Sequence, residues 1–182
     1  MHYISLDELG HKAYASSDSE CYKNIVSYFG SEIVKEDGSV DRKALGDIVF
    51  HDKDKMLYLE HQVNREITRM KNAALDQIPL GTCESPQIVL IEGATILKME
   101  TQYEYDEIWS CILPEKETLL RLQSVRGHSE EKARAIMAHN LTTKHFVDKA
   151  HRVFSSTGSK DDLFDQADRA MLELLNVFST TL

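Results

Sequence analysis

Apolar side chains recur every three or four residues through much of the first half of the chain, which is the spacing of one helix face. The longest such stretch is residues 53–75, whose apolar positions are Met56, Leu59, Val63, Ile67, Met70 and Ala74. Shorter stretches predict helices over residues 24–29, ended by Gly30, and over residues 41–50. The pattern therefore predicts a helical region between about residues 15 and 80.

The pattern changes in the second half, where short apolar runs stand between turn residues. Residues 87–91 and 107–113 are two such runs, each bounded by a proline, and both are predicted to be buried parallel strands. Residues 152–155 predict a third strand, which Gly158 closes. Strands that alternate with helices predict an α/β protein with a mostly parallel sheet.

Two local signals predict helix starts after these strands. Pro114 is followed by Glu115 and Glu117, and proline and acidic residues are favoured in a first helical turn. Residues 159–162, Ser-Lys-Asp-Asp, have the spacing of a capping box ahead of a final helix that runs to about residue 178. Both starts agree with the alternation of an α/β chain.

The charge balance narrows the classes of partner. Among 182 residues, 30 are acidic and 21 are Lys or Arg, which gives a net charge of −9. An acidic chain repels a phosphate backbone, so nucleic-acid binding driven by charge is not expected. No apolar run approaches the ~20 residues needed to span a bilayer, so no membrane segment is expected either. One cytoplasmic domain over residues 1–182 is the prediction.

Cysteine and histidine do not form a metal-ligand pattern. The three cysteines, Cys21, Cys83 and Cys111, are far apart and odd in number, which fits a reducing compartment. The eight histidines include no His-Glu-x-x-His motif and no Cys/His cluster, so no transition-metal site is predicted. Trp109 and Cys111 lie in an apolar run and are expected in the core.

Several segments together resemble the dephospho-coenzyme A (dephospho-CoA) kinase family. Residues 28–50, YFGSEIVKEDGSVDRKALGDIVF, are similar to a signature stretch of that family, and residues 4–14, ISLDELGHKAY, to the segment before it. Residues 107–122, the Ser-Glu-Glu at Ser129 and residues 153–163 follow in the family's order. The kinase domain of the eukaryotic bifunctional coenzyme A synthase is the nearest resemblance. No single motif is decisive, but their order makes the match specific.

The resemblance implies a P-loop kinase-like parallel sheet flanked by helices. It implies a helical substrate domain at about residues 15–80 and a lid at about residues 115–150. The family passes the γ-phosphate of ATP to the 3′-hydroxyl of dephospho-CoA with Mg²⁺, a reaction that depends on positioning and charge neutralisation. A second copy of the chain, or another enzyme of coenzyme A biosynthesis, is a further partner that this resemblance leaves open.

Some of the family's parts are absent or changed. The 182 residues contain no Gly-Lys dipeptide, so the first strand and the P-loop are expected to be absent. With Arg121 kept in register, the family's lid arginine falls on Val125, with Arg126 next to it, and a later one falls on Ile136. A glutamine of the lid falls on Asn140. Arg121 and Arg126 remain the lid candidates, and solvated surface charge is the alternative for Arg126.

The carboxylates of the family are partly present. The second residue of its Asp-x-Asp pair matches Asp7, a catalytic candidate to accept the hydroxyl proton or to bind Mg²⁺, and the first matches Ser5. A helix N-cap is the alternative for Asp7. Glu92 follows a predicted strand, where ligands bind in open α/β sheets, and Lys98 replaces a further glutamate of the family.

Four basic or imidazole side chains match the substrate side of the family. Arg42 and Lys43 are candidates to meet a phosphate of dephospho-CoA, with an exposed first helical turn as the alternative. His11 matches a Leu-Gly-His position near the pyrophosphate, with a helix-surface role as the alternative. His61 stands where many members have His-Pro, with a packed or half-exposed structural histidine as the alternative.

Three hypotheses follow for the chain. It is a fragment of a working dephospho-CoA kinase, a relative that kept the fold but lost catalysis and binds or regulates, or an assembly module without a ligand. Loss of catalysis explains the missing Gly-Lys together with Val125 and Ile136, so we favour a family member whose own kinase activity is lost or weak.

Overall fold

The computed structural model describes residues 1–82, 87–94, 96–98, 105–139 and 142–180. The chain divides into two compact units, Met1–Gln102 and Tyr103–Leu182, and each is described by itself. The expectation of a single domain over residues 1–182, with its substrate and lid regions, stays a prediction. None of the described helices combines the length and apolar character that crossing a membrane requires.

The first unit contains a parallel pair of strands and four α-helices. The two strands pair from His2↔Val89 to Ser5↔Glu92. The elements are β1 (His2–Ser5), α1 (Leu6–Lys12), α2 (Glu20–Phe29), α3 (Arg42–Phe50), α4 (Lys53–Leu75) and β2 (Val89–Glu92). The predicted helices over residues 41–50 and 53–75 are confirmed, and the helix predicted over 24–29 begins earlier, where Ser19 accepts a hydrogen bond from the Tyr22 backbone N–H.

Two clusters of buried side chains hold this unit together. The larger joins α2, α3 and the start of α4 around Ile25, Ile33 and Leu45, each of which is at most 2% exposed. The smaller joins Ile4 of β1 and Leu6 of α1 to Ile67 of α4. Because burial of apolar area is the main stabilising term, the second cluster fixes α1 against the strand pair.

The second unit contains the other parallel pair, in which β3 and β4 pair from Trp109↔Arg152 to Ile112↔Ser155. Its elements are β3 (Trp109–Ile112), α5 (Glu115–Ser124), α6 (Glu130–His139), α7 (Thr143–Lys149), β4 (Arg152–Ser155) and α8 (Lys160–Thr180). The capping box is confirmed: Ser159 Oγ accepts from the Asp162 N–H at 3.1 Å, and Asp162 Oδ2 accepts from the Ser159 N–H at 2.8 Å. The Ser159 hydroxyl, which also donates to Asp162 Oδ2 at 2.7 Å, is the main cause that holds the pKa of Asp162 below its usual value, and the Ser159 N–H adds to it.

The prediction of fully buried strands is wrong for part of β2 and β3. Leu90 is 43% exposed, and Cys111, expected in the core, is exposed. In the first unit, α1 and α4 cover one face of the strand pair, and the side chains of Tyr3 and Leu90 extend from the other face. The described strands form two parallel pairs, so the expected parallel arrangement is confirmed within each unit.

Candidate functional site

The carboxyl ends of β1 and β2 bring two polar residues together. Ser5 and Glu92 are paired in the strand register. The Ser5 hydroxyl donates to Glu92 Oε2 at 3.3 Å, and the Tyr3 hydroxyl donates to the same oxygen at 3.4 Å. Glu92 therefore lies at the position that the sequence predicts, at the edge of a parallel pair where ligands bind in α/β folds.

Helix α1 begins at this edge and places Asp7 in its first turn. The alternative interpretation of Asp7 as an N-cap is wrong, because Ser5 is the cap and its Oγ accepts from the Glu8 N–H at 3.3 Å. The Asp7 side chain is exposed, and no hydrogen bond or ion pair holds it within the described part of the chain. Its carboxylate is therefore available to a ligand at the start of α1.

A glycine allows this close approach of strand and helix. A Cβ added at Gly93 would lie 2.7 Å from Leu6 Cβ, which is closer than side chains pack. Leu6 is 1% exposed and belongs to the cluster beneath α1, so it has no free space to move into. Glycine after β2 therefore keeps Glu92 beside the residue that caps α1.

The far end of α1 contacts the start of α3. Arg42 Nη2 donates to the backbone oxygen of His11 at 2.7 Å, and Nη1 contacts His11 Nδ1. The guanidinium carbon also lies 5.4 Å from the centre of the Tyr14 ring, a cation–π distance. The structure therefore brings together two of the substrate-side candidates, Arg42 and His11.

The N-cap of α3 positions the neighbouring lysine. Asp41 Oδ1 accepts from the backbone N–H groups of Lys43 at 2.9 Å and Ala44 at 3.1 Å. These bonds, first of all the one from Ala44, hold the pKa of Asp41 below its usual value. The capped turn directs Arg42 and Lys43 to the wall of one pocket with a volume of about 380 Å³, which we call the Arg42 pocket. Its lining includes Tyr14, Lys35, Val40, Asp41, Arg42 and Lys43.

Asp7 and His11, at the two ends of this region, lie on the same face of α1. Asp7 and His11 are four residues apart in the helix, and side chains at that spacing are neighbours about 5–6 Å apart at Cβ. Because Arg42 is bound to His11, the Arg42 pocket lies at the far end of the helix whose first turn contains Asp7. A carboxylate and a basic pocket therefore stand along a single short helix.

His61 does not join this group in the described residues. It is exposed on α4, more open than the packed or half-exposed position of the structural alternative. Its neighbour Gln62 is fixed instead, because Asn24 Nδ2 donates to Gln62 Oε1 at 3.0 Å. The structure thus offers no contact that supports a site role for His61.

In the second unit, Arg121 is bound to the loop that follows β4. Its Nη1 donates to Ser156 Oγ at 3.3 Å and its Nη2 to the Ser156 backbone oxygen at 3.0 Å. Arg126 is exposed, and its side chain has no hydrogen bond or ion pair within the described residues. Val125 is 77% exposed and Ile136 is partly exposed. The Lys98 side chain and Asn140 lie outside the described residues.

Sequence reasoning missed Tyr14 and Lys35 as pocket residues. Both lie in segments that resemble the family, residues 4–14 and 28–50, but the resemblance gave neither of them a role. The signal that could have found Lys35 is the turn around Gly38 between Val34 and Val40. That turn closes as an antiparallel bridge, Val34↔Val40, and brings Lys35 back toward the start of α3. Among the described residues, no group of three or more His, Cys, Asp or Glu side chains could hold a metal ion.

Comparisons with known proteins assign the family. The model of the dephospho-CoA kinase family matches residues 1–162. A dephospho-CoA kinase of Thermosynechococcus vestitus is 31% identical over 82% of this chain and 70% of that protein. One from Aquifex aeolicus is 27% identical over 94% of this chain and 84% of its own length.

Solved structures share the fold. A Thermus thermophilus crystal structure matches 95% of this chain and 84% of that chain, with a TM-score of 0.73 and 24% identity. A Campylobacter jejuni dephospho-CoA kinase matches 96% of this chain and 85% of that chain, with a TM-score of 0.62 and 22% identity. With the family match over residues 1–162, these results lead to one conclusion: the chain belongs to the dephospho-CoA kinase family.

Proposed function

We propose that this chain binds dephospho-CoA along α1, and that the 182 residues alone transfer phosphate from ATP weakly or not at all. The observation that supports the binding of dephospho-CoA is the contact of Arg42 with His11, on the helix whose first turn contains Asp7. Family membership makes dephospho-CoA the substrate of choice. The 3′-hydroxyl of the ribose would lie at Asp7 and the phosphates toward Arg42.

At the start of α1, Asp7 would accept the proton of the attacking 3′-hydroxyl. A general base must lie within hydrogen-bond reach of its proton, and an exposed carboxylate without another partner meets that need. Glu92 is held by the hydroxyls of Ser5 and Tyr3, so its position does not depend on substrate. Its role would be to keep negative charge fixed beside the reacting oxygen.

The oxygen atoms at this edge suit Mg²⁺. Carboxylate and hydroxyl oxygens are the ligands this ion prefers, and it commonly binds through one or two carboxylates together with water and phosphate oxygens. Glu92 would hold it beside the general base Asp7, and it would supply neutralisation of charge on the phosphoryl oxygens.

The second half of the proposal rests on the missing groups for ATP. The P-loop uses backbone N–H groups and a lysine to hold the phosphates, and the 182 residues contain no Gly-Lys dipeptide. At the lid position, Val125 offers no donor where an arginine offers a planar fork for phosphate oxygens. Arg121 is engaged with Ser156, and Arg126 stands one residue beyond the lid position, in the turn that follows α5.

Two measurements on the purified chain test the proposed binding of dephospho-CoA and the proposed loss of phosphate transfer. Titration calorimetry with dephospho-CoA should show binding, and a ligand at 100 times its dissociation constant should raise the free energy of unfolding by about 2.7 kcal/mol. Formation of ADP from ATP and dephospho-CoA should be near background. No binding at millimolar dephospho-CoA overturns the substrate assignment, and robust ADP formation overturns the loss of activity.

Binding without turnover would make the chain a binding or regulatory partner in coenzyme A biosynthesis. This is the second candidate function, and the exposed Val125 favours it because the side chain cannot act on phosphate. We also propose a cytoplasmic location, the reducing compartment that an odd set of separated cysteines favours. Limited proteolysis in cell extract tests the binding role, because bound dephospho-CoA should protect the chain from cleavage.

A further inference from the structure

Helix α8 has an exposed apolar stripe on the side that points away from β4. Its inner side contains Ala170, which is 5% exposed, and Gln166, whose side-chain oxygen accepts from the Ser155 N–H of β4 at 3.0 Å. On the other side, Phe164 is 52% exposed and Leu172 is 62% exposed. At about 100° per residue, these two side chains lie about 80° apart, and Ala170 lies about 160° from the middle of that arc. A surface helix ordinarily has one apolar stripe, so packing within the second unit does not account for this second one.

Carboxylates surround the exposed stripe. Asp161 and Asp168 lie within its arc around the helix, and Asp165 lies at its edge. All three residues are exposed, and none of their carboxylates forms a hydrogen bond or an ion pair within the described residues. Over its whole length, α8 carries five acidic and two basic residues. We call the stripe and these three carboxylates the outer face of α8, and it is both apolar and negative.

The aromatic ring on the outer face already contacts a cation. Lys160 Nζ lies 5.2 Å from the centre of the Phe164 ring, which is a cation–π distance. With this lysine in place the Phe164 side chain is still half exposed, so it offers both apolar and cation-binding surface to a partner. The ring and the carboxylates therefore favour the same kind of ligand, one that combines positive charge with apolar groups.

Charge discriminates among the occupants of such a face. A second copy of the chain would bring the same carboxylates against these, and the net charge of −9 adds to the repulsion. Nucleic acid and anionic membranes are repelled for the same reason. A basic amphipathic helix instead places lysine or arginine side chains beside the carboxylates and its apolar residues on Phe164 and Leu172.

We propose that the outer face of α8 docks a basic amphipathic helix of a partner protein. The stripe continues to Leu175, which is 36% exposed, so its length from Phe164 is about 16 Å, or three turns of a partner helix. Three turns of one helix bury less area than a stable complex of two proteins, so the contact is expected to be transient and to weaken as salt is raised. The inference goes beyond the proposed function, because none of these residues takes part in the binding of dephospho-CoA by the first unit.

A designed peptide of about 20 residues, with leucine at the a and d positions and lysine at e and g of each heptad, tests the outer face on the full chain. Lysine at e and g also keeps the peptide from pairing with itself. We expect saturable binding by fluorescence anisotropy, and much weaker binding of a peptide with glutamate in place of lysine.

Two substitutions on α8 and two matched controls locate the binding. Leu172→Gln should weaken the lysine peptide by about tenfold, because one apolar side chain no longer packs against it. Asp165→Asn should weaken it by about threefold at low salt, the order expected for one exposed charge pair. The controls are Leu120→Gln, at a leucine of α5 that is 54% exposed, and Asp148→Asn, at an exposed aspartate of α7. All four residues are exposed, so none of the substitutions should unfold the chain.

The outcomes distinguish the proposed partner from the other occupants. Weaker binding in Leu172→Gln and Asp165→Asn, with both controls unchanged, supports the inference. Equal affinity of Leu172→Gln and the unsubstituted chain overturns it, as does an absence of binding to the lysine peptide at millimolar concentration. Equal affinity for the glutamate peptide also overturns it, because charge then plays no part. Self-association in the analytical ultracentrifuge that Leu172→Gln abolishes overturns it as well, because a second copy is then the occupant.

Discussion

A cluster of charged side chains at the amino ends of β3 and β4 is expected to stabilise the second unit, and a single substitution can test this. Glu107 Oε2 accepts from Arg152 Nε at 2.7 Å and from Trp109 Nε1 at 2.5 Å, and Oε1 accepts from Arg152 Nη2 at 3.2 Å. Arg152 also binds Glu173 of α8. The cluster therefore links both strands of the second unit to its last helix, and Glu107→Gln is the perturbation that removes its central charge.

The expected loss in the free energy of unfolding follows from the burial and the hydrogen-bond geometry of the two carboxylates. The Glu107 side chain is 23% exposed and the Glu173 side chain is 66% exposed. Hydrogen bonds to charged groups contribute about 1.5–3 kcal/mol each when water is largely excluded, and glutamine keeps one acceptor, so we expect a loss of roughly 2 kcal/mol for Glu107→Gln. In a chain of this size that corresponds to a fall in Tm of about 4–8 °C. Glu173→Gln, the matched control at the same arginine, should cost under about 1 kcal/mol because water screens an exposed pair.

The pH dependence gives a second readout. Bonds from Arg152, first of all, hold the pKa of Glu107 below its ordinary value of 4.5. A carboxylate whose pKa is lowered by folding stabilises the fold at pH values above its ordinary pKa. That stabilisation is lost as the pH falls below the ordinary pKa. Urea unfolding should therefore show a gap between the unsubstituted chain and Glu107→Gln at pH 7 that narrows below about pH 4.5. A gap that does not change with pH, or equal losses in Glu107→Gln and Glu173→Gln, would refute the reasoning.

Three further predictions concern the core, the helix start at β2 and the thiols. Ile25→Ala removes a side chain that is 0% exposed and should lower the free energy of unfolding in urea by about 2–5 kcal/mol; a loss under 1 kcal/mol would contradict the packing. Gly93→Ala places a Cβ 2.7 Å from Leu6 Cβ and should lower stability by about 1–3 kcal/mol, whereas an unchanged Tm would show that α1 can move aside. Burial raises the pKa of Cys21 to about 11, so at pH 8 a thiol reagent located by mass spectrometry should label the exposed Cys111 well before Cys21, and the reverse order would contradict the burial.

Helices with a long apolar repeat were predictable from the chain, and the reason is visible in the core. The stretch over residues 53–75 repeats its apolar positions through six turns, and α4 spans those residues. Asp52 and Asp41 accept backbone N–H groups of the first turns of α4 and α3, which sets where each helix begins. Periodicity and capping act locally, so they can be recognised without knowledge of the fold.

Strand β1 and the exposure of β2 were not predictable in the same way. Residues 2–5, His-Tyr-Ile-Ser, are too few and too mixed to show a period, and they become a strand only through pairing with β2. Leu90 belongs to an apolar run that is typical of a buried strand, yet α1 and α4 cover only the opposite face. Contacts between distant segments decide both features, and a local pattern does not contain that information.

The candidate site likewise contains residues that the sequence could predict and residues that it could not. Asp7, His11, Arg42 and Glu92 could be selected by resemblance, because each stands in a segment whose order along the chain is similar to the family. Lys35 lies in the stretch over residues 28–50 that resembles the family, but it reaches the Arg42 pocket through a turn that Tyr22 and Gly38 stabilise, and the resemblance did not give it a role. Arg121 kept its position in the sequence, but its guanidinium is bound to Ser156, which only coordinates can reveal.

Binding and catalysis are therefore expected to depend on different parts of this chain. The first unit places the exposed carboxylate of Asp7 and the basic Arg42 pocket along one helix, and these are the groups that the proposed binding of an acceptor uses. In the second unit, the exposed Val125 stands where the resemblance to the family implies a lid arginine. Rate enhancement requires interactions that strengthen as charge develops in the transition state, and substrate affinity alone does not supply them. A chain that keeps the acceptor contacts and lacks the phosphate donors should thus retain affinity for dephospho-CoA while its turnover falls, so affinity and rate are the two quantities to measure separately.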